Sequence, residues 1–389
     1  MKVLFFSSPG FADCDFPMVK ALLEKGIDVT YVIELTAACQ NSTLFNIARL
    51  IPQNAILPAS AYAELRVYAK YIDLTRVFIL NRPTKSAYGL SGIKSALKLF
   101  NFARKNKFDV IHTDHQPYMW NILLYFFRRK LLLTVHDPFP HSGEHSLKKV
   151  IFRGFAFRLC RAFVLLNRSQ RDCFCATYRI SPERVFQNSL GIYECMNETD
   201  YEKNSPYPFK YVLFFGRISP YKGVRYLCEA AVEFHKTTPD VHIVIAGNGK
   251  FDFDISKYEK LPYFHIENRF ITTAELSRML NFCEFTVCPY TDATQSGVVM
   301  SSFAFKKVVI ASNVGGLKEM IDDKRNGVLV PPKDVSALVE AMSLLAQDKR
   351  KRTEMERCIE DRYCYGDGRW EKIAENYIDV YKKVVCDEL

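Results

Sequence analysis

The chain has 389 residues, 48% apolar and 25% charged, which fits two folded globular domains and excludes a disordered or low-complexity chain. Its twelve cysteines form no CxxC pair and no Cys/His cluster at zinc spacing; this excludes a zinc module or disulfide framework and points to reduced, mostly buried thiols. The net charge of +10 is unevenly placed, with its densest groups in the N-terminal half, so an anionic partner is expected there.

Residues 1–6 are too short for the apolar core of a signal peptide and meet Ser7-Ser8-Pro9-Gly10, as a first strand and its turn would. Residues 2–7 are a predicted strand, 16–25 a helix closed by Gly26, and 29–33 a strand. The turn Ser7-Ser8-Pro9-Gly10-Phe11 lacks GxGxxG, which argues against a nicotinamide-binding domain. Asp13-Cys14-Asp15 and the later Asp252-Phe253-Asp254 spell DxD. Neither follows a strand edge in a way that would hold Mg²⁺ against phosphates, so chance is the reading and no metal site is expected.

A helix over 91–105 and strands over 110–112, 131–136 and 163–167 continue a βα alternation, the mark of a parallel doubly wound sheet. The longest apolar run, 118–127, is broken by Asn121 and is well short of a membrane span. Thr134-Val135-His136-Asp137-Pro138-Phe139-Pro140-His141 places His136 at a strand's carboxyl end, where an imidazole can donate a hydrogen bond or move a proton. A histidine satisfied by backbone fits that position equally well. His141 ranks second, with His112 and His115 behind it near another strand end.

Three basic groups stand out: Lys94, Lys98, Arg104, Lys105 and Lys107; Arg128, Arg129 and Lys130; and Lys148, Lys149, Arg153, Arg158 and Arg161. The last is interleaved with Phe152, Phe155, Phe157 and Phe163. Such a face suits anionic lipid or nucleic acid; a solvated helix face whose aromatics belong to the core fits as well. Residues 197–208 are polar and broken, and read as an interdomain linker.

The alternation then restarts, with strands over 211–215, 242–246, 285–288 and 308–311 and helices over 224–235, 273–281, 298–305 and 334–347. The first of these strands ends in Gly216, and the cations Arg217 and Lys222 follow five residues apart. A guanidinium that grips bidentately and a mobile ammonium suit a phosphate or diphosphate. Two solvated loop cations are the ordinary account of either one alone. Gly247-Asn248-Gly249 is a tight turn after a strand. In Cys288-Pro289-Tyr290-Thr291-Asp292-Ala293-Thr294-Gln295-Ser296-Gly297-Val298-Val299-Met300, Ser296 and Gly297 sit where a helix begins. Free N–H groups and the helix dipole make that a second anion site, though Ser296 as a plain N-cap also accounts for it.

As a set, Phe215-Gly216-Arg217 with Tyr221-Lys222-Gly223, Gln295-Ser296-Gly297, the run Val309 through Glu319 and Asn326-Gly327-Val328-Leu329-Val330 resemble the C-terminal half of a GT-B glycosyltransferase. The resemblance is to glycosyltransferase family 4, whose members are retaining and use nucleotide sugars, and it covers most of residues 205–385. It implies an α/β architecture of two Rossmann-like doubly wound parallel-sheet domains facing a cleft, over 1–200 and 201–368, with a helix in 369–389 crossing back to the first. It also implies that Gly10 and Phe11 approach the diphosphate or acceptor, that His136 lies against the donor sugar, and that Asn268-Arg269-Phe270-Ile271 meets the base. Gly216, Gly247, Phe270, Gln295, Ser296, Gly297 and Val298 would then hold the donor.

One departure matters. The family shows two glutamates eight positions apart across the donor loop and helix, and an ungapped alignment puts Ala293 and Ser301 there. Neither is a carboxylate, so Gln295, Ser296 and Gly297 would have to hold the donor, with Glu319 as another acceptor.

The expectation is therefore a metal-independent, retaining hexosyltransferase with no cofactor beyond its UDP- or GDP-sugar donor. His136, Arg217 and Lys222 would serve catalysis. The acceptor would be a saccharide or lipid-linked saccharide in surface polysaccharide or glycoconjugate synthesis. The protein would be cytoplasmic, peripheral on the inner face of an anionic membrane, and would bind no nucleic acid. A silent sugar-nucleotide-binding subunit and a nucleotide-sugar epimerase are the alternatives.

Overall fold

The computed structural model describes residues 1–40, 42, 44–47, 50–86, 89–114, 121–139, 153–154 and 156–387. They divide into two units. One takes in the described residues among 1–191 together with Trp370–Leu389, and the other is Ile192–Arg369.

The first unit is built on a sheet of order β3-β4-β2-β1-β5-β6-β7-β8. Its strands are β1 (Lys2–Ser7), β2 (Asp28–Thr36), β3 (Ala55–Pro58), β4 (Val77–Arg82), β5 (Val110–Thr113), β6 (Leu131–Val135), β7 (Ala162–Leu165) and β8 (Val185–Gln187). All pairings are parallel except β3 with β4. The central strands are buried along almost their whole length, so they read as near-continuous apolar runs rather than as alternation. Helices α1 (Ala12–Glu24), α2 (Leu90–Asn106) and α3 (Arg171–Tyr178) belong to this unit.

Helix α1 begins four residues earlier than the predicted start at residue 16. Asp13 and Asp15 occupy its first turn. Pro17 therefore lies inside the helix rather than at its first position.

The second unit carries a wholly parallel sheet of order β11-β10-β9-β12-β13-β14. Its strands are β9 (Lys210–Phe215), β10 (Val241–Ala246), β11 (Phe264–Glu267), β12 (Phe285–Cys288), β13 (Val309–Ser312) and β14 (Gly327–Val330). Helices α4 (Val224–Thr237), α5 (Thr273–Phe282), α6 (Gly297–Ala304), α7 (Val335–Gln347) and α8 (Lys349–Glu360) flank them. Residues 197–208 lie inside this unit: Thr199 Oγ1 donates to Ser277 Oγ at 3.2 Å, and Arg278 donates to the Asn204 side chain at 2.6 Å.

Helix α9 (Trp370–Val385) packs in the first unit, against α1. Its buried stripe of Ile373, Tyr377, Val380, Tyr381 and Val384 recurs at helical spacing. Asn188 donates to the Ile373 carbonyl at 3.0 Å, Lys25 pairs with Glu375 at 2.6 Å, and a Cβ on Gly191 would strike the Trp370 ring at 2.5 Å.

Candidate functional site

Each unit gathers its sequence-predicted residues at the carboxyl ends of its strands, where open α/β sheets bind ligands. In the second unit the geometry starts with glycines. Gly216, after β9, has φ +108°, and Gly247, after β10, has φ +149°. A Cβ on Gly247 would lie 1.9 Å from the Gly216 carbonyl oxygen, so the two strand ends touch backbone to backbone. A Cβ on Gly216 would reach Val298 Cγ2 at 3.4 Å, which puts the start of α6 beside the end of β9.

Arg217 and Lys222 come together through two tyrosines. The Arg217 guanidinium donates to the Tyr221 hydroxyl at 3.0 Å. The Lys222 ammonium sits 3.8 Å from the centre of the buried Tyr290 ring and 5.1 Å from that of Tyr221. The Tyr290 hydroxyl accepts from Ser296 Oγ at 3.4 Å, and Ser296 is the N-cap of α6, whose first turn has no side-chain cap. Burial pushes the neighbouring Cys288 thiol up to about 11, with Lys222 pulling the other way. The connecting loop is held by Thr291, whose N–H donates to the Tyr221 carbonyl at 2.8 Å, and by Gly223, where a Cβ would lie 1.9 Å from the Pro289 oxygen.

A chain of contacts thus joins both cations to the amino end of α6. Gly297 faces Tyr193 so closely that a Cβ would lie 3.0 Å from its ring. Tyr193 and Tyr290 belong to this cluster of contacts and were not singled out by motif reading; an aromatic in the strand-to-helix loop was the available signal for Tyr290. Gln295 lies in the same loop, next to Ser296.

The turns after β10 and β11 are laced together. Gly249 N–H donates to the Asn268 side chain at 3.1 Å, which donates back to the Gly249 carbonyl at 3.2 Å. Phe270, just beyond, is 38% exposed, an aromatic face available for stacking. Ala293 is buried with its carbonyl against Gly315 and Gly316, and Ser301 is buried within α6. Neither offers a carboxylate to a ligand.

In the first unit, Gly10 and Phe11 lie in the short Pro9–Phe11 helical turn between β1 and α1. Phe11 stacks on His136 with ring centres 4.2 Å apart and planes 17° apart. His136 follows β6 directly, its side chain 14% exposed, with Nε2 3.5 Å from Asp114 Oδ2. Burial holds its imidazole below the ordinary value, against the opposite pull of Asp15, Asp137 and Asp13.

Behind it lies a buried polar cluster. Asp15, the second aspartate of the DxD string, accepts from Ser7 Oγ at 2.5 Å and from the Tyr31 hydroxyl at 2.8 Å. His112 is a core histidine: Nδ1 bonds the Tyr381 hydroxyl and Nε2 bonds Thr134 Oγ1, both at 2.7 Å, and burial drives it down to about 3. His115 and His141 lie outside the described residues, as do Lys148, Lys149, Phe152 and Phe155 of the third basic group. Of that group's other aromatics, Phe157 and Phe163 are core residues, as the core reading had it.

The other two basic groups lie on elements that pack against each other. Helix α2 packs against the 3₁₀ segment Asn121–Lys130, with the Phe100 ring 5.7 Å from Phe126 and 5.5 Å from Phe127. Lys94, Lys98, Arg104, Lys105, Lys107, Arg128, Arg129 and Lys130 are all exposed there. Phe126 is 77% exposed and Leu97 46%. Among the described residues no helix is long and apolar enough to cross a membrane.

Comparison with known proteins meets this geometry in both units. The family described as Glycosyltransferase Family 4 matches residues 18–192, and Glycosyl transferases group 1 matches residues 209–348. The chain is 26% identical over 238 residues to the alpha-D-kanosaminyltransferase of Streptomyces kanamyceticus, covering 58% of this chain and 59% of that protein. It is 28% identical over 258 residues to the alpha-maltose-1-phosphate synthase of Mycolicibacterium smegmatis, covering 57% and 63%. The match thus spans about six tenths of each relative's length. Its fold is that of the Anabaena Alr3699/HepE protein solved with UDP, with TM-score 0.65 and 16% identity over 98% of this chain and 100% of that one. Two parallel Rossmann-like sheets, family matches across both units and a neighbour of the same architecture agree: the chain is a GT-B glycosyltransferase of the family 4 kind.

Proposed function

We propose that this protein transfers a hexosyl group from a UDP- or GDP-sugar to a saccharide or lipid-linked saccharide, with retention and without a metal ion, in surface polysaccharide or glycoconjugate synthesis. The observation that carries the reading is the chain of contacts from Arg217 through Tyr221, Lys222 and Tyr290 to Ser296 at the start of α6. In the transfer, the bond between the anomeric carbon and the diphosphate oxygen breaks, and its electron pair leaves on the diphosphate. The acceptor hydroxyl forms the new bond and gives up its proton. Two cations and a helix amino end stabilise the charge that builds on the leaving group. The glycines after β9 and β10 let a phosphate approach backbone, Phe270 stacks on the base, and His136 with the Gly10–Phe11 turn orients the sugar.

Gln295, Ser296 and Gly297 take over the polar contacts that Ala293 and Ser301 cannot make. The exposed cations of α2 and the 121–130 segment, with Phe126 and Leu97 among them, fit an anionic membrane surface, where a lipid-linked acceptor would be met. That placement is cytoplasmic and peripheral.

The test is a panel of nucleotide sugars with the wild type and the double variant Arg217→Ala, Lys222→Ala. The variant should keep its fold by circular dichroism and lose transfer by at least about a hundredfold, the scale of one lost oxyanion donor. A folded variant with wild-type transfer overturns the reading. Donors that bind without release of nucleoside diphosphate would mark a silent binding subunit instead.

A further inference from the structure

The carboxyl group of Asp114 has no role in the site as described, yet it is among the most confined groups in the first unit. It follows β5 directly, is 4% exposed, and among the described residues its oxygens meet no hydrogen-bond donor apart from the Asp15 carboxyl and its own backbone N–H. Isolated buried carboxylates are costly, so such a group either holds a proton or faces one. Two groups face it: the carboxyl of Asp15 from α1, close enough to share a hydrogen, and Nε2 of His136 at 3.5 Å. All three line a cavity of about 20 Å³, together with Thr134, Trp370 and Tyr377. That is room for one water and far too little for a sugar.

We propose that Asp114, coupled to Asp15 across this cavity, is a positioning residue that selects which nitrogen of His136 carries the imidazole proton. Ionised, Asp114 accepts from Nε2–H and leaves the lone pair on Nδ1. Protonated, it donates to Nε2, and the imidazole proton resides on Nδ1. The change takes up one proton from solvent and leaves the ring neutral in both states.

The electrostatics support a switch near neutrality. Burial pushes the Asp114 carboxyl up to about 7, and a hydrogen bond from Asp15 restrains the rise. Asp15 is also pushed well above the ordinary carboxylate range, by burial first and then by the Asp114 charge, and the hydrogen bond between the two makes it the donor within the pair. The other groups facing the cluster are Asp13 and Cys14 on α1, Ser7 on β1, Tyr31 on β2, His112 on β5, Thr134 and Asp137 around β6, and Tyr377 and Tyr381 on α9. Burial raises the Cys14, Tyr31, Tyr377 and Tyr381 values and lowers that of His112, so these groups stay neutral around pH 7. Asp13 and Asp137 add negative charge that favours a protonated ring but does not choose between its nitrogens.

The consequence for transfer rests on the placement of His136 beside the sugar, but the proposal is tested without any donor. The full chain is labelled with ¹⁵N-histidine, His136 is assigned by its loss in His136→Gln, and its two ring-nitrogen signals are followed from about pH 6 to about pH 8. The expected result is that the protonated and unprotonated nitrogens exchange places with a midpoint near 7, and that Asp114→Asn abolishes this dependence. An unchanging wild-type tautomer, or the same pH dependence in folded Asp114→Asn, overturns the proposal. Should that variant not fold, the ¹³C titration of the Asp114 carboxyl in the wild type must share the midpoint of the His136 change, and two separate midpoints overturn it equally. A chain that fails to transfer sugar would leave either result standing, so the two readings fall separately.

Discussion

Asp114 also leaves a mark on stability, and its sign is fixed by linkage. Its ordinary value is 3.8, and burial raises it to about 7 in the folded protein. A carboxyl raised on folding binds its proton more tightly in the native state. Its contribution is therefore whole below about pH 4 and is lost as pH climbs through about 7. Asparagine cannot ionise, so the melting temperature of Asp114→Asn relative to wild type should grow between about pH 4 and about pH 8. Calorimetry at both ends checks it, and a flat or shrinking difference contradicts the raised value. His112 has the opposite sign but is common to both proteins, so it cancels in the difference. Residue by residue, the sequence was uneven as a guide. Arg217 and Lys222 were legible as a pair because they follow one buried strand five residues apart, and the structure brings them together through Tyr221 and Tyr290. Asp15 looked like chance in a DxD string because its partners Ser7, Tyr31 and Asp114 lie 8, 16 and 99 positions away, a convergence no local pattern contains.

At the scale of elements, helix α5 offers the sharpest test of local chemistry. Thr272 Oγ1 accepts from the Glu275 N–H at 3.3 Å while the Glu275 carboxylate accepts from the Thr272 N–H at 2.8 Å, a reciprocal capping box just after Phe270. Thr272→Ala should cost about 1 kcal/mol, and amide exchange across Thr273–Phe282 should quicken about fivefold while α7 is unaffected. Equal exchange in both proteins would show that tertiary packing, not the cap, holds this turn. The strands that were legible, β9, β12 and β13 among them, are almost wholly buried and stand out as mostly apolar runs. Of those that escaped, β3, β8, β11 and β14 are short or outer strands, whereas β4 has six residues and lies inside the sheet. β8 has three residues, and β11 is an outer strand with only Phe264 buried. α8 hid behind its charges: it buries Arg352, whose guanidinium pairs with Glu284 at 2.5 Å, alongside Met355 and Ile359.

For the molecule as a whole, the +10 charge is the property with the most to say about where it works. Eight cations on α2, its following residue and the 121–130 segment are exposed, as are Phe126 and Leu97 on the same elements. At about 1 kcal/mol per cation near an anionic surface, even part of this set gives measurable adsorption. The protein should co-sediment with phosphatidylserine vesicles and not with phosphatidylcholine vesicles, and should be released on going from about 0.05 M to about 0.5 M salt. Arg128→Glu, Arg129→Glu and Lys130→Glu together should abolish the effect while the thermal transition is kept. Equal binding to both vesicle types, or binding that salt does not weaken, would remove the membrane from the account.

The return of α9 to the first unit imposes an order on synthesis. Ile192–Arg369 is continuous along the chain, so it can fold as soon as it has emerged from the ribosome. The earlier unit must wait: Tyr381, which occupies one nitrogen of His112, and Tyr377, which bonds Thr134, are translated more than two hundred residues later. During that interval His112, Thr134 and the α1 surface lack the contacts that α9 supplies, so the first-made half of this enzyme is the last to be completed.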